Sequence, residues 1–263
     1  MPVLDLPQGG MLSYREIGNG PPLVLVHGSP GEGRSWGRVA SKLVDRHRVL
    51  MPDLPGYGGS DPVAQDPQSR TAKIGAAIAA LIETCGEPVR LCGHSYGGNV
   101  ALHAALAVRH GIAHLTLLEP VFFRALELTG AEDVRRPAAE FFAGYADRVT
   151  GGKPEAVGEM IDFWFGTGAF ARLPHQVQGF LTAAAPKNGR DVRSSLAEAL
   201  TREQLASFAK PVLVAYGAAS PPIASAIAEA LVSLLPAARL HAIDGASHGM
   251  LDTHPDAVAA LLR

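Results

Sequence analysis

A glycine-flanked serine at a predicted strand-to-helix junction constrains the fold of this chain more than any other stretch. Residues 89–98 read Val-Arg-Leu-Cys-Gly-His-Ser-Tyr-Gly-Gly, so that Ser95 lies between Gly93 and Gly97. The apolar run before Gly93 is typical of a buried strand, and the apolar positions in 99–110 have helical spacing. Strand, tight turn and helix are the context in which Gly-x-Ser-x-Gly marks an exposed nucleophile.

The glycines of this motif have a physical purpose. Strand and helix pass close together at such a turn, so larger side chains there would collide with the opposite backbone. The serine is lifted out of the sheet above the N-terminus of the helix, whose free N–H groups and partial positive charge favour an oxyanion. Alone, the motif also fits a glycine-rich loop without chemistry. The flanking strand and helix favour Ser95 as a nucleophile in a nucleophile elbow.

Predicted strands and helices alternate along the first 120 residues. Strands are predicted at residues 3–6, 11–17, 23–26, 49–51, 89–92, 114–118, 212–216 and 238–243. Helical spacing after residue 36, across 71–85 and again after Ser95 separates the later strands of the first half. This alternation predicts an α/β fold, with a mostly parallel central sheet and helices on both faces.

The stretch between the strand ending at Glu119 and the strand beginning at Val212 has a different character. It contains helical periods without a convincing strand, and it holds all nine phenylalanines of the chain. Helices are predicted at residues 138–149, 154–165, 175–183 and 191–200, with another that starts at a Thr201–Gln204 capping box. We therefore predict an α/β core of residues 1–120 and 210–263, and a helical cap, or lid, of residues 121–209.

The aromatic residues of the cap fit two interpretations. They can form the packing core of a helical unit, or some of them can roof an apolar pocket over Ser95. Adjacent helical residues point about 100° apart, so the run 163–165 cannot face a single core. The pocket candidates are Trp36, Phe122, Phe123, Phe163 and Trp164.

A serine hydroxyl needs a base, a group that orients the base, and an oxyanion hole. His248 is the predicted base, because it lies in a small-residue loop after the last predicted strand. His254 precedes a proline at a helix start, where capping is the simpler role. The predicted oxyanion donors are the backbone N–H groups of Tyr96 and Ser29, which follow the nucleophile and the strand at 23–26 respectively.

Together these residues resemble the motifs of the α/β-hydrolase superfamily. The matching stretches, in chain order, are His-Gly-Ser-Pro at 27–30, the glycine-rich loop at 53–61, the elbow at 93–98 and the histidine loop at 245–249. The resemblance implies the α/β-hydrolase fold and a serine–histidine–acid catalytic triad, and it extends over most of the chain outside the cap. It implies little about the substrate, because this fold carries many reactions.

One departure from the superfamily concerns the acid. In most members the acid follows the strand after the cap, and the corresponding residue here is Ser220, within a stretch (205–228) that has no carboxylate. Glu119 is the predicted substitute, since it ends the neighbouring strand, a placement similar to that in a branch of the haloalkane dehalogenases. Asp244 is a weaker candidate because it is close in sequence to His248. A triad without an acid is the remaining alternative.

Composition excludes several classes of partner. The formal net charge is −2 and no stretch is strongly basic, so we expect no nucleic-acid binding. No apolar run approaches the ~18 residues of a membrane span, and the first residues lack the pattern of a secretory signal, so we expect a cytoplasmic protein. Cys85 and Cys92 fit reduced, buried thiols, and no Cys/His spacing fits zinc, so no metal or cofactor is expected. The oligomeric state is left open, with a homodimer among the alternatives.

These features predict a carboxylesterase-like serine hydrolase. Its expected partner is a small to medium hydrophobic ester or lactone, cleaved through an acyl-enzyme on Ser95. A serine nucleophile argues against haloalkane dehalogenases and epoxide hydrolases, which use aspartate. Carbon–carbon bond hydrolysis and perhydrolysis use the same residues and remain alternatives. An alternative of another class, motivated by Ser220, is a slow or non-catalytic ligand-binding homologue.

Overall fold

In the computed structural model, which describes residues 1–63 and 66–263, eight strands form one sheet. The strands are β1 (Val3–Asp5), β2 (Met11–Ile17), β3 (Pro22–Val26), β4 (Arg48–Pro52), β5 (Val89–His94), β6 (Ile112–Leu118), β7 (Val212–Gly217) and β8 (Ala238–Ile243). Their order in the sheet is β1-β2-β4-β3-β5-β6-β7-β8. β1 pairs antiparallel with β2 and β2 with β4, and the other neighbours are parallel.

The helices of the described residues lie between and beyond these strands. They are α1 (Gly37–Ala40), α2 (Pro67–Glu83), α3 (Tyr96–Ala107), α4 (Arg124–Thr129), α5 (Glu132–Thr150), α6 (Val157–Phe165), α7 (Ala169–Arg172), α8 (His175–Leu196), α9 (Arg202–Ala206), α10 (Pro222–Leu234), α11 (Met250–Thr253) and α12 (Pro255–Leu262). The predicted mostly parallel α/β fold is therefore confirmed, with α4–α9 forming the helical insertion between β6 and β7.

The sheet is covered on both faces, as the apolar run of β3 predicts. Residues 23–26 are fully buried, and successive side chains of a strand point to opposite faces. Leu23 and Leu25 belong to a smaller core that includes Val39 of α1 and Val258 of α12. Val24 and Val26 belong to a larger core that includes α2, α3, α10 and the helical insertion. A strand with two buried faces fits the centre of a parallel sheet.

The C-terminal half of the insertion differs from the sequence prediction. Two helices were expected at residues 175–183 and 191–200, but α8 runs unbroken over His175–Leu196 with Pro186 inside it. Proline removes one helical hydrogen bond, which is why the sequence indicates a break. Packing of α8 against α5 and α2 compensates for that loss. The capping box of α9 is confirmed: Thr201 accepts from the Gln204 amide, and the Gln204 side chain accepts from the Thr201 amide.

The short helices α4, α7 and α11 were not predicted, because four to six residues carry too little periodicity. Helix α4 packs against α10 as well as α5, so the insertion is joined to the rest by side-chain packing. Division of the chain into a core and a cap at residues 120 and 210 stays a prediction. Within the described ranges, no helix is both long enough and apolar enough to cross a membrane.

Candidate active site

The turn between β5 and α3 holds Ser95 in a strained backbone conformation. Its φ of 56° and ψ of −126° lie where non-glycine residues are rare. A Cβ on Gly93 would lie 2.1 Å from the carbonyl oxygen of Gly97, and one on Gly97 would lie 2.4 Å from that of His27. The Ser95 amide donates to the Leu118 oxygen at 2.9 Å. Close backbone packing and the main-chain hydrogen bond therefore hold the hydroxyl in place.

Three of the predicted side chains form one chain of hydrogen bonds. The distance from Nε2 of His248 to Oγ of Ser95 is 3.0 Å, and the distance from Nδ1 of His248 to Oε2 of Glu119 is 2.6 Å. An ionised carboxylate only accepts hydrogen bonds, so the proton of the neutral ring lies on Nδ1. The lone pair of Nε2 then faces the serine hydroxyl. Ser95 and His248 are 7% exposed and Glu119 is 1% exposed, so all three are shielded from bulk water.

Glu119 receives further hydrogen bonds from the loop after β7. Its Oε1 accepts from the Gly217 amide at 2.6 Å and from the Ser220 hydroxyl. Burial raises the pKa of Glu119, but the bonds from His248, Ser220 and Gly217 outweigh burial and lower the pKa below its ordinary value. The carboxylate is therefore held ionised. Ser220, the residue at which the sequence resemblance places an acid, here donates to Glu119 at the end of the neighbouring strand.

The two weaker sequence candidates lie elsewhere. Asp244 is exposed on the loop after β8, while Nδ1 of His248 contacts Glu119. His254 is half-buried, and its Nδ1 contacts the hydroxyl of Thr253 at 2.9 Å. Neither arrangement links these residues to Ser95.

His94, immediately before Ser95, is a residue of the candidate site that the sequence prediction missed. Its Nε2 donates to the carbonyl oxygen of His248 at 3.0 Å, and the two rings lie 4.9 Å apart. Burial, together with the adjacent His248, lowers the pKa of His94 to about 3. The ring is therefore neutral at physiological pH, with one N–H to donate to the histidine loop. A histidine at a variable position of the motif was the only sequence signal.

Aromatic side chains of α6 cover His248. The Trp164 ring stacks on the imidazole, with centroids 4.3 Å apart and an interplanar angle of 17°. Phe165 approaches edge-on at 6.0 Å. Stacking on a flat indole limits the orientations that the imidazole can adopt. The helical insertion therefore contributes directly to the surroundings of the predicted base.

A cavity of about 30 Å³ lies between Ser95 and the insertion. Its lining contains both apolar and polar residues. The apolar residues are Val121, Phe123, Phe142, Met160, Trp164 and Val192, and the polar residues are Ser29, Ser95, Tyr96, Asn188, Asp191 and Ser195. This volume is far below the roughly 300–1,000 Å³ usual for ligand sites.

Two of the five pocket candidates, Phe123 and Trp164, line this cavity, and the other three require correction. Trp36 belongs to the smaller core on the opposite face of the sheet. Phe122 is fully buried within the larger core. Phe163 lies behind Trp164, edge-to-face at 5.2 Å. Adjacent helical residues diverge by about 100°, so Trp164 faces the cavity and Phe163 does not.

Asn188, Asp191 and Ser195, which are among the polar residues of the cavity lining, were also missed. All three are on α8 and nearly fully buried. Their spacing of three and four residues places them on one helix face. Buried polar residues at that spacing were the available signal, but the expected break near Pro186 obscured it.

The residues with the predicted oxyanion donors, Tyr96 and Ser29, lie beside Ser95. Tyr96 begins α3, so the helix leaves its N–H without an intrahelical partner. Ser29 lines the cavity together with Ser95. A Cβ on Gly28 would lie 3.0 Å from Cβ of Ser95, so the loop carrying Ser29 lies directly against Ser95. The oxyanion role of these two amides stays a prediction.

Neither cysteine fits a functional site. Cys92 is buried and Cys85 partly buried, and both are free thiols. Burial raises the pKa of each, which keeps the thiol protonated and unreactive. Among residues 1–63 and 66–263, no cluster of three or more His, Cys, Asp or Glu side chains could hold a metal ion.

Comparison with known proteins adds independent evidence. A family model described as "Alpha/beta hydrolase family" matches residues 23–261. The chain is 32% identical over 271 residues to the polyketide synthase ThaQ of Burkholderia thailandensis, a match that covers 97% of this chain but 12% of ThaQ. It is 26% identical over 250 residues to the pimeloyl-[acyl-carrier protein] methyl ester esterase of Aeromonas hydrophila, covering 93% of this chain and 94% of that esterase.

Among solved structures, a thermophilic esterase from Thermogutta terrifontis superposes with a TM-score of 0.76 at 24% identity. The match covers 100% of this chain and 97% of the esterase. At that identity the likeness establishes the fold alone.

Proposed function

Because the chain belongs to the alpha/beta hydrolase family, we propose that it is a serine hydrolase acting on a small to medium hydrophobic ester or lactone. The observation that carries the proposal is the hydrogen-bond chain from Glu119 through His248 to Ser95. A base with its lone pair on a strained, shielded serine hydroxyl, and with an ionised acid behind it, matches the requirements of nucleophilic acyl transfer.

The reaction proceeds in two balanced halves. Oγ of Ser95 attacks the substrate carbonyl while Nε2 of His248 takes the hydroxyl proton, and Glu119 stabilises the imidazolium through Nδ1. The tetrahedral oxyanion binds the amides of Tyr96 and Ser29. The intermediate collapses to an acyl-enzyme, and the leaving alcohol takes the proton from His248. Water then repeats the sequence at the acyl carbonyl and releases a carboxylic acid and free Ser95.

The surroundings of His248 suit this proton transfer. His94 holds the backbone of the histidine loop by its bond to the His248 carbonyl. Trp164 lies flat on the imidazole. Nε2 of His248 takes a proton from Oγ of Ser95 and then gives it to the oxygen of the leaving alcohol. Limiting the rotation of the ring favours both transfers.

The cavity supports a substrate of limited size. Its apolar lining residues fit the hydrocarbon part of an acyl group, and its volume of about 30 Å³ is too small for a polymeric substrate. A relative matched over 94% of its own length is named as a methyl ester esterase, which supports an ester as the bond cleaved. We propose that residues 121–209 act as a cap over this cavity, since α5, α6 and α8 contribute to its lining.

The absence of an acid at Ser220 is the reason to consider a non-catalytic ligand-binding homologue as an alternative. The bond between Glu119 and His248 removes that motive, because a carboxylate is in contact with the base. Carbon–carbon bond hydrolysis and perhydrolysis need the same side chains, so substrate assays separate them from ester hydrolysis.

The decisive experiment is labelling with a fluorophosphonate probe, followed by a p-nitrophenyl ester series from acetate to octanoate. We expect rapid labelling and short-chain ester turnover, both lost in Ser95→Ala. Ser225→Ala, which removes a half-buried hydroxyl on α10 that bonds the Pro222 oxygen of the same helix, is the matched control and should behave as the wild type. Folded wild-type protein that neither labels nor hydrolyses any member of the series would refute the proposed function.

A further inference from the structure

A buried ion pair joins the helical insertion to the rest of the chain. Nε of Arg70, on α2, lies 2.8 Å from Oδ1 of Asp191, on α8, and the two side chains are 4% and 1% exposed. A buried ion pair is expensive to desolvate and is weak evidence for a purely stabilising role. Its position beside the cavity suggests that the pair serves the site.

Asp191 lines the cavity, but its carboxylate is already occupied. Oδ1 accepts from Arg70, and Oδ2 accepts from the Ser29 hydroxyl and the Tyr57 hydroxyl, each at 2.7 Å. Little acceptor capacity is left for a substrate. Asp191 therefore acts on the site through the residues it holds.

Asn188, one helical turn before Asp191, holds the same loop residue. Its Nδ2 donates to the Ser29 carbonyl oxygen at 2.9 Å and lies 3.0 Å from the Ser29 hydroxyl oxygen. Its Oδ1 accepts from the Tyr145 hydroxyl at 2.6 Å, which fixes the orientation of the amide. Helix α8 thus engages both the carbonyl and the side chain of Ser29. The third polar group of Ser29 is its backbone N–H, the proposed oxyanion donor.

We propose that Asp191 and Asn188 are positioning residues that set the direction of the Ser29 N–H, so that the helical insertion completes the oxyanion hole. This inference rests on the proposed function. A misplacement of about 1 Å at a catalytic group can cost on the order of 10²-fold in rate, and loss of one oxyanion donor costs on the order of 10²–10³-fold in kcat. The loop is in contact with Ser95 through Gly28, so any shift in it changes the geometry at the reacting atoms.

The test is a kinetic comparison of Asp191→Asn with Asp147→Asn. Asp147 forms an exposed ion pair with Arg193 between α5 and α8, so its variant controls for loss of a carboxylate from another ion pair that involves α8. We expect Asp191→Asn to lower kcat by about 10²-fold with little change in KM, and Asp147→Asn to leave both unchanged. A folded Asp191→Asn protein with less than about a tenfold loss of kcat would overturn the inference.

A double-mutant cycle with Ser29→Ala separates positioning from a general structural effect. Ser29→Ala keeps the backbone amide and removes the hydroxyl that Asp191 holds. Because both changes act through one contact, the double variant should lose no more than about the larger single loss. If the two losses of kcat multiply in the double variant, Asp191 acts independently of Ser29 and the inference is overturned. Should Asp191→Asn leave Arg70 unpaired and fail to fold, Asn188→Ala replaces it, since that variant keeps the ion pair.

Hydrogen–deuterium exchange of residues 28–33 supplies a readout that does not depend on activity. Exchange there should quicken in Asp191→Asn and Asn188→Ala but not in Asp147→Asn. Unchanged exchange in both variants would refute the positioning role of Asp191 and Asn188, even if the enzyme is active. Absence of Ser95-dependent labelling would instead refute the proposed function and leave the exchange result standing.

Discussion

His94 should make the stability of the protein sensitive to acid. Its pKa is about 3 in the folded protein because burial disfavours the charged ring, whereas an unfolded histidine titrates near 6.5. Between these values the unfolded chain binds a proton that the folded chain does not. The stabilisation from a neutral His94 is therefore fully present above pH 6.5 and is lost progressively as the pH falls towards 3.

The size of the effect follows from the two pKa values. A pH of 5 lies 1.5 units below the pKa of 6.5 of the unfolded ring, and one unit corresponds to 1.36 kcal/mol. A fully enclosed ring would therefore lower the free energy of unfolding by about 2 kcal/mol between pH 7 and pH 5. His94 retains some exposed surface, and solvent screening reduces the expected cost to about 1–2 kcal/mol. His94→Gln keeps an N–H donor for the His248 carbonyl but cannot titrate, so it should escape this loss.

The measurement is urea unfolding at pH 7 and pH 5, followed by circular dichroism and analysed by linear extrapolation. His241→Gln, on the exposed strand β8, controls for removal of a histidine from the unfolded chain. The wild type and His241→Gln should lose about 1–2 kcal/mol more than His94→Gln on acidification. Equal losses in wild type and His94→Gln would refute the argument that a buried neutral ring produces the acid sensitivity.

Further predictions concern catalysis and packing. Glu119→Gln should lower kcat on a p-nitrophenyl ester by about 10³-fold or more, by analogy with other triad acids, while circular dichroism stays native; a loss under about tenfold would remove Glu119 from the mechanism. Gly97→Ala should abolish soluble expression, because its Cβ would lie 2.4 Å from the backbone oxygen of His27; a normal melting temperature would contradict this. Trp164→Ala should lower kcat by about three- to tenfold through loss of the stacked ring, with Trp164→Phe nearer the wild type in steady-state assays. Met160→Ala should move the preferred acyl chain to a longer ester in the same series, and an unchanged optimum would place the acyl group elsewhere.

The fold could be predicted from local patterns because most of its strands are short apolar runs. Glycine- or proline-rich turns and stretches of helical spacing separate them. The bounds of β2 and β8 agree with the sequence prediction, and β5 extends two residues further, to His94. Continuity of α8 could not be predicted, because Pro186 and Gly189 indicate a break that only tertiary packing overrides.

The proximity of Ser95, Glu119 and His248 could be inferred because they follow different strands at the same edge of a largely parallel sheet. The absence of a carboxylate in 205–228, together with the place of Glu119 at the end of the neighbouring strand, favours Glu119 as the acid. The cavity lining was less accessible. Trp36 and Phe122 are as apolar as Trp164, and only the three-dimensional packing decides which of them faces Ser95.

The position of Glu119 on β6 has a consequence for redesign of the protein. Strands β5 and β6 are paired in register, His94 with Leu118, and the residues that follow them are Ser95 and Glu119. The Ser95 amide also donates to the Leu118 oxygen. Main-chain bonding of the sheet thus fixes the spacing between Ser95 and Glu119, and His248 alone lies on a separate loop. Variants in which residues 244–249 are replaced should therefore change or abolish proton transfer without moving Ser95 or Glu119.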